Sequence, residues 1–335
     1  MKKLILFFVC FFSVSAYAFE FDETRIRFDG VYLDVTITDC GHISANDMIR
    51  EIGCGFVWNE STDYVLPCYF AAQMGFGFGY INDTFIFTSK AASKVPVLMY
   101  HHILPDEKNT VFYDNAWTIS TANFAQQMAY LSANGFYTPT LDELENFLFN
   151  GHLLPLNSVQ IQFDDGYYSN FVYAYPILLQ HGLRAVIFPI TRYSEKYGDV
   201  QSPMDYNCLT YASAKTLRSR PHVFETASHT HNLHDTAWLS QRTMLVEAPR
   251  ELIISDTLRS FEFVSNTRAF AYPQGQFNDT VIEALREAGI TMAFTTRRGY
   301  VSPTSDPFRL DRFTIFRETC MYRFRNIVNR RLVVV

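Results

Sequence analysis

The sequence predicts an α/β protein: a distorted, incomplete (β/α)7 barrel preceded by a small β-rich N-terminal domain. Three observations predict it. From Lys94 onward, apolar strand-like runs alternate with helical segments, the pattern of βα units around a mainly parallel sheet. Residues 19 to about 90 instead show short alternating runs separated by Gly, Asn and Asp, as in a small β unit. Finally, the polar residues able to do chemistry fall just after the strand-like runs, where barrel folds place their active sites. The 335 residues, 48% hydrophobic and 19% charged, exclude a disordered chain and suit about two domains.

Met1 to Ala18 reads as a secretory signal. Lys2 and Lys3 precede the apolar run Leu4 to Phe12, and Ala16-Tyr17-Ala18 is a small-x-small cleavage pattern. The protein is therefore expected to be exported: periplasmic, cell-surface or secreted. Beyond the signal no apolar run approaches the ~20 residues of a membrane span. Of the six cysteines, five remain after cleavage, and Cys40, Cys54 and Cys68 are the expected source of a disulfide in an oxidising compartment. Without Lys2 and Lys3 the net charge moves from −6 to −8, which argues against nucleic acid as a partner.

In residues 19–90 the expected strands are Val31 to Thr38, Gly55 to Trp58, Tyr64 to Leu66 and Thr84 to Phe87. One helix, Ser44 to Ile52, starts at a Ser cap and ends at Gly53. The run Gly75-Phe76-Gly77-Phe78-Gly79 lacks nucleotide-loop spacing. From Lys94 the expected strands are Val95 to Tyr100, Val159 to Phe163, Ala185 to Ile190, Val223 to Ala227, Arg268 to Tyr272, Thr291 to Thr295 and Arg309 to Ile315. Helices are expected at Ser120 to Asn134, Thr140 to Phe149 with a Thr140/Glu143 capping box, Ser169 to Gln180, and Asn278 to Ala288. The C-terminal segment 317–335 alternates five arginines with Met321, Phe324, Ile327 and Val328. It reads as a helix packed on the barrel or, alternatively, as a basic amphipathic segment giving weak membrane or cell-wall association.

Four strand ends carry candidate chemistry: His101-His102, Asp164-Asp165-Gly166, Ser228 to His234, and Tyr272-Pro273-Gln274-Gly275. Two imidazoles and a carboxylate suit a divalent metal, and a second carboxylate could serve as a base. Adjacent aspartates at an extended strand end point in opposite directions, so the two can hold distinct tasks.

Phe163-Asp164-Asp165-Gly166, His229 to His234 and Arg268-Ala269-Phe270-Ala271-Tyr272-Pro273 resemble, in order, the three main motifs of polysaccharide deacetylases of the NodB-homology type, carbohydrate esterase family 4. The resemblance spans about residues 94–316. It implies Asp164 as the catalytic base, Asp165, His229 and His234 as metal ligands, and Arg268 as the arginine that holds the base. It also implies the Tyr272 backbone N–H as a donor to the oxyanion. His229 and His234 are five apart, not four, and no suitable histidine follows His234. Both features resemble the circularly permuted branch that deacetylates poly-N-acetylglucosamine. Tyr100-His101-His102-Ile103 then implies His101 as the catalytic acid, with His102 a local hydrogen-bonding residue and His231 facing away. Gln162 stands where the family commonly has Thr and is assigned no role. Residues 53–65, with Gly53-Cys54-Gly55-Phe56-Val57-Trp58-Asn59, resemble the small modules named for the N-terminal domain of copper amine oxidases.

The function implied is removal of N-acetyl groups from an N-acetylglucosamine polysaccharide with one divalent ion, zinc first and cobalt or nickel next. A peptidoglycan deacetylase and an O-acetyl xylan esterase share the site, and a non-catalytic glycan-binding protein is the alternative of another class. Aromatic residues near the loops, Trp117, Tyr167, Tyr168 and Trp238, are candidates for sugar stacking.

Overall fold

The computed structural model describes residues 24–53, 58, 62–109, 114–197, 211–237 and 239–331. The expected signal segment, Cys54, Cys208 and Trp238 lie outside them. The protein has a mixed α/β fold.

The N-terminal part contains β1 (Arg25–Phe28), β2 (Val31–Leu33), β3 (Ile43–Ser44), α1 (Ala45–Ile52), β4 (Tyr64–Val65), α2 (Pro67–Met74), β5 (Gly77–Ile81) and β6 (Thr84–Thr88). Four of these strands form a sheet in the order β2-β1-β6-β5. One face buries Ile26, Phe78, Phe85 and Phe87 against Met48 of α1 and Phe70 of α2. Helix α1 begins as its sequence requires: Ser44 Oγ accepts from Asp47 N–H, and the helix closes on Gly53 at φ 65°. Helix α2 has no capping side chain, starts on Pro67 at its first position, and was not expected. The glycine-rich run caps α2 at Gly75 and enters strand β5 at Gly77. Its Phe78 N–H donates to Leu153 O at 2.7 Å, and a Cβ at Gly79 would overlap the Tyr137 ring, so glycine there permits close approach of the two parts of the chain.

The remainder runs β7 (Val95–Tyr100), β8 (His102–Leu104), β9 (Thr118–Ser120), α3 (Thr121–Ala133), α4 (Leu141–Phe149), β10 (Gln160–Asp165), α5 (Tyr175–Gln180), β11 (Ala185–Pro189), α6 (Thr191–Tyr197), α7 (Ala214–Leu217) and β12 (Phe224–Thr226). It continues with α8 (Met244–Glu247), α9 (Arg250–Ser260), β13 (Ala269–Ala271), α10 (Asp279–Glu287), β14 (Met292–Phe294), β15 (Tyr300–Val301), β16 (Phe313–Thr314) and α11 (Met321–Val328). Strands β12, β11, β10 and β7 pair in parallel in that order, β16 pairs in parallel with the other side of β7, and β13 pairs in parallel with β14. Single parallel bridges, Ser228 to Phe270 and Phe294 to Leu310, connect β12 to β13 and β14 to the approach to β16. Every βα unit is therefore oriented alike, and the C-terminal strand ends share one face.

The central strands are buried on both faces: all six residues of the apolar β7, and all six of β10, where Gln160, Gln162, Asp164 and Asp165 bring polar groups inside. Helix α4 has the expected box, with Thr140 Oγ1 accepting from Glu143 N–H and Glu143 reaching back to Thr140 N–H. The helix expected from Ser169 opens as a π-helical turn, Asn170–Ala174, before α5. Helix α11 packs Phe324, Ile327 and Val328 into the core with Leu98 and Phe313, so the apolar side of the basic C-terminal segment faces inward. Among the described residues no helix is long and apolar enough to cross a membrane.

Candidate functional site

Asp164 and Asp165 end β10, and both are buried. Asp165 takes φ 70° and Gly166 φ 79°, a tight left-handed turn. A Cβ at Gly166 would sit 2.7 Å from Pro189 Cβ, so the Asp-Asp-Gly order is dictated by the neighbouring strand. The two carboxylates have different partners: Asp164 meets Arg312, and Asp165 faces His229 and His234.

Asp165, His229 and His234 bring one ligand atom each within 4.8 Å of one another. Asp165 Oδ1 is 3.4 Å from His234 Nε2 and 3.6 Å from His229 Nε2. His229 Nδ1 lies 2.7 Å from Ala271 O, a contact that requires the proton on Nδ1 and leaves the Nε2 lone pair facing the cluster. Burial opposes ionisation of Asp165, but the two imidazoles facing it hold its carboxyl well below the usual carboxylate range. The five-residue spacing of the histidines is absorbed by a turn at Thr230, φ 73°, and by the buried Asp256 of α9. The Asp256 oxygens accept from His231 N–H and Asn232 N–H, both at 2.7 Å. His231 faces away, with Nδ1 2.9 Å from Thr191 Oγ1.

His101 follows β7. Its ring packs 4.5 Å from Trp117, and its buried Nδ1 has no hydrogen-bond partner among the described residues. Burial pushes its pKa down, against the pull of Asp165 and Asp164. His102 is turned to local bonding, with Nδ1 2.6 Å from Ser169 Oγ and its ring stacked on Tyr167 at 4.6 Å; burial takes its pKa down to about 4. Tyr167 in turn stacks on Tyr211, ring centres 5.5 Å apart.

Two expected roles are corrected. Arg268 does not hold Asp164. It precedes β13, at the opposite end of that strand from Tyr272, and its guanidinium pairs with Asp142 at 2.5 Å and Glu145 at 2.8 Å on α4. The arginine that holds Asp164 is Arg312, a fully buried side chain with Nη1 and Nη2 each 2.8 Å from the two carboxylate oxygens. Arg312 Nε donates to Thr295 O and Nη1 also to Gln162 Oε1, so Gln162 has a role as a brace. Burial of Asp164 would raise its pKa, but Arg312 outweighs that and keeps it below its ordinary value. The sequence set Arg312 apart only weakly: it is one of three charges, with Arg309 and Asp311, in the expected strand Arg309 to Ile315. The second correction concerns the Tyr272 backbone N–H, which donates to Phe294 O at 3.0 Å in the β13–β14 ladder and is not free for an oxyanion. Its side-chain hydroxyl donates to Phe308 O.

Residues 154–293 match the family model described as polysaccharide deacetylase. A poly-beta-1,6-N-acetyl-D-glucosamine N-deacetylase of Staphylococcus aureus is 28% identical over 206 residues, covering 59% of this chain and 68% of the relative. Residues 154–293 therefore carry a polysaccharide deacetylase domain. Among solved structures, IcaB from Ammonifex degensii superposes with a TM-score of 0.58 at 25% identity, covering 71% of this chain and 97% of that one. The Streptococcus pyogenes deacetylase PplD shares the fold at 23% identity with the same TM-score, over 70% of this chain and 98% of its own. As a polysaccharide deacetylase, the protein is a hydrolase, and the cluster at the ends of β10 and β12 is its candidate active centre.

Proposed function

We propose that this polysaccharide deacetylase removes N-acetyl groups from poly-N-acetylglucosamine or a closely related glycan, as an exported enzyme that uses one divalent ion, with zinc first. The observation that carries the reading is the convergence of Asp165, His229 and His234 beside a second carboxylate, Asp164, clamped by Arg312. Two imidazole nitrogens and one carboxylate oxygen, with the Nδ1 of His229 tied to a carbonyl, fit a divalent ion with open positions for water and substrate. When bound, such an ion supplies Lewis acidity that polarises the acetamide carbonyl and acidifies water. The staphylococcal relative supports the choice of polymer, and His101 on the first strand supports the permuted branch. The circular order of seven parallel strands is read as the incomplete (β/α)7 barrel.

The residues divide the proton work. Asp164, kept ionised by Arg312, takes the proton of the attacking water on a carboxylate oxygen. His101 gives a proton to the amide nitrogen as the carbon–nitrogen bond breaks, so the glucosamine leaves as an amine and acetate is released. The apolar wall of Trp117 and the missing partner at Nδ1 leave the imidazole unengaged until substrate arrives.

The test is acetate release from poly-N-acetylglucosamine, chitin oligomers, peptidoglycan and acetylated xylan in parallel, with and without chelator. Release from the first, abolished by chelator and by Asp165→Ala, is expected. Greater release from peptidoglycan or xylan reassigns the substrate, and none from any polymer leaves only glycan binding. His101→Asn is expected to lose activity at normal metal content; loss in His102→Asn instead would move the acid by one residue.

A further inference from the structure

The face of the N-terminal sheet turned away from its own core carries Arg25, Arg27 and Tyr32. Register places Arg27 opposite Tyr32 on one side and Ile86 on the other, with Arg25 opposite Thr84. Arg25 Cζ lies 5.9 Å from the centre of the Tyr32 ring. Arg27 Nε is buried and has no hydrogen-bond partner among the described residues. These side chains form one wall of a groove of about 370 Å³, a volume within the range of small-ligand sites. The other wall is built from Ser132 and Gly135 at the end of α3 and from His181 and Gly182 at the end of α5, with Asp83 at the margin. Helix ends of this kind present carbonyl oxygens. They also lie at the N-terminal side of the parallel strands. The length of the six-residue β10 therefore separates the groove from the metal cluster, roughly 15–20 Å.

We propose that this groove is a second glycan-binding site, specific for the N-acetylated polymer; the proposal rests on the reading of the substrate given above. The Arg27 Nε–H without a partner among the described residues on one wall, and carbonyl and carboxylate acceptors on the other, match sugar hydroxyl and acetamide groups, which both donate and accept. Tyr32 is 57% exposed and offers a ring face for a pyranose. A polyanion would face Asp83 and two helix C-termini, which repel negative charge. The deacetylated product carries ammonium groups that meet Arg25 and Arg27, so charges of both signs line the groove and a neutral, acetylated chain is the form that meets no like charge. The groove therefore holds unreacted polymer and releases product, and it raises the local concentration of substrate at the distant centre.

The test uses the full-length protein with Tyr32→Ala, Arg27→Gln and Tyr32→Phe. Binding to insoluble acetylated polymer is measured under chelator, and acetate release is measured on the polymer and on a short oligomer that cannot reach both sites. The two disruptive variants are expected to weaken polymer binding and raise the polymer KM by about tenfold, an avidity loss, with oligomer kinetics unchanged and Tyr32→Phe like the wild type. Unchanged polymer binding in both disruptive variants overturns the proposal, as does tighter binding of deacetylated polymer or of a polyuronate than of acetylated polymer. Absence of acetate release by the wild type would defeat the substrate reading instead, and the binding arm would still decide whether the groove holds the acetylated glycan.

Discussion

A single carboxylate–guanidinium pair sets the character of the site. Arg312 makes two parallel bonds to Asp164 and is itself fixed by Thr295 O and Gln162, so this carboxylate, the proposed base, has one orientation and a depressed pKa. Arg312→Lys keeps the charge but cannot form the fork, and loss of a charged hydrogen bond should lower kcat by about 10–100-fold with little change in KM. Arg268→Gln removes its pairs with Asp142 and Glu145, both on α4 away from the cluster, and should leave acetate release within about twofold of wild type. Equal losses in the two variants would return Arg268 to the site. Much here was legible: Asp164, Asp165, His229 and His234 follow apolar runs and carry their own spacing. Arg312 was not, because its partner lies 148 residues away and only pairing of β16 with β7 brings that segment beside β10. The misplacement of Arg268 has a geometric cause, since a three-residue strand puts its two flanking residues at opposite ends.

Elements are joined to the site by buried acids. Asp256 on α9 carries two backbone N–H bonds of the loop between His229 and His234, and burial raises its pKa to about 6. Asp256→Ala would orphan both donors and loosen the imidazoles. Metal affinity, read by competition with a chromophoric chelator, is expected to fall by about 10–100-fold. Affinity equal to wild type would show that the loop holds without the acid. Glu225 on β12 accepts from Leu141 N–H at 3.1 Å, and burial raises its pKa from 4.5 to about 7. Between those values the folded state keeps a proton that the unfolded state has lost, so this group's contribution to stability falls as pH rises from about 4.5 to 7. Glu225→Gln should therefore be more stable than wild type at pH 8, by up to about 3 kcal/mol, and show no such gain at pH 4. Thermal melts at the two pH values check this. Helices with caps, α1 and α4, could be read from sequence. Helix α2 lacks a capping side chain, and the alternation of Gly and Phe in β5 gave no polar face to mark a strand.

At the scale of the whole molecule, a buried phenol sits at the centre of the seam between the N-terminal sheet and the deacetylase part, beside the bonds of Phe78 N–H to Leu153 O and Leu156 N–H to Thr88 Oγ1. Tyr137 OH donates to Glu143 Oε1 at 2.5 Å, accepts from Tyr80 N–H at 3.1 Å and from Arg184 Nη2 at 2.9 Å. It thereby links β5 to α4 and to the residue before β11. Its ring fills the space left by Gly79. Tyr137→Phe keeps the ring and strips the hydroxyl, leaving a buried N–H and a carboxylate short of a partner, at a cost of about 1–3 kcal/mol. Gly79→Ala attacks the same seam by overlap and should cost a similar ~1–3 kcal/mol. Urea unfolding followed by two probes, tryptophan fluorescence and far-UV circular dichroism, should show one shared transition moved to lower urea in both variants. Specific activity of the folded fraction should stay at the wild-type level, because the seam lies at the strand ends opposite Asp165. A variant that unfolds in two steps, with acetate release surviving the first, would show that the N-terminal sheet is an independent unit and that Tyr137 does not couple it to the catalytic fold.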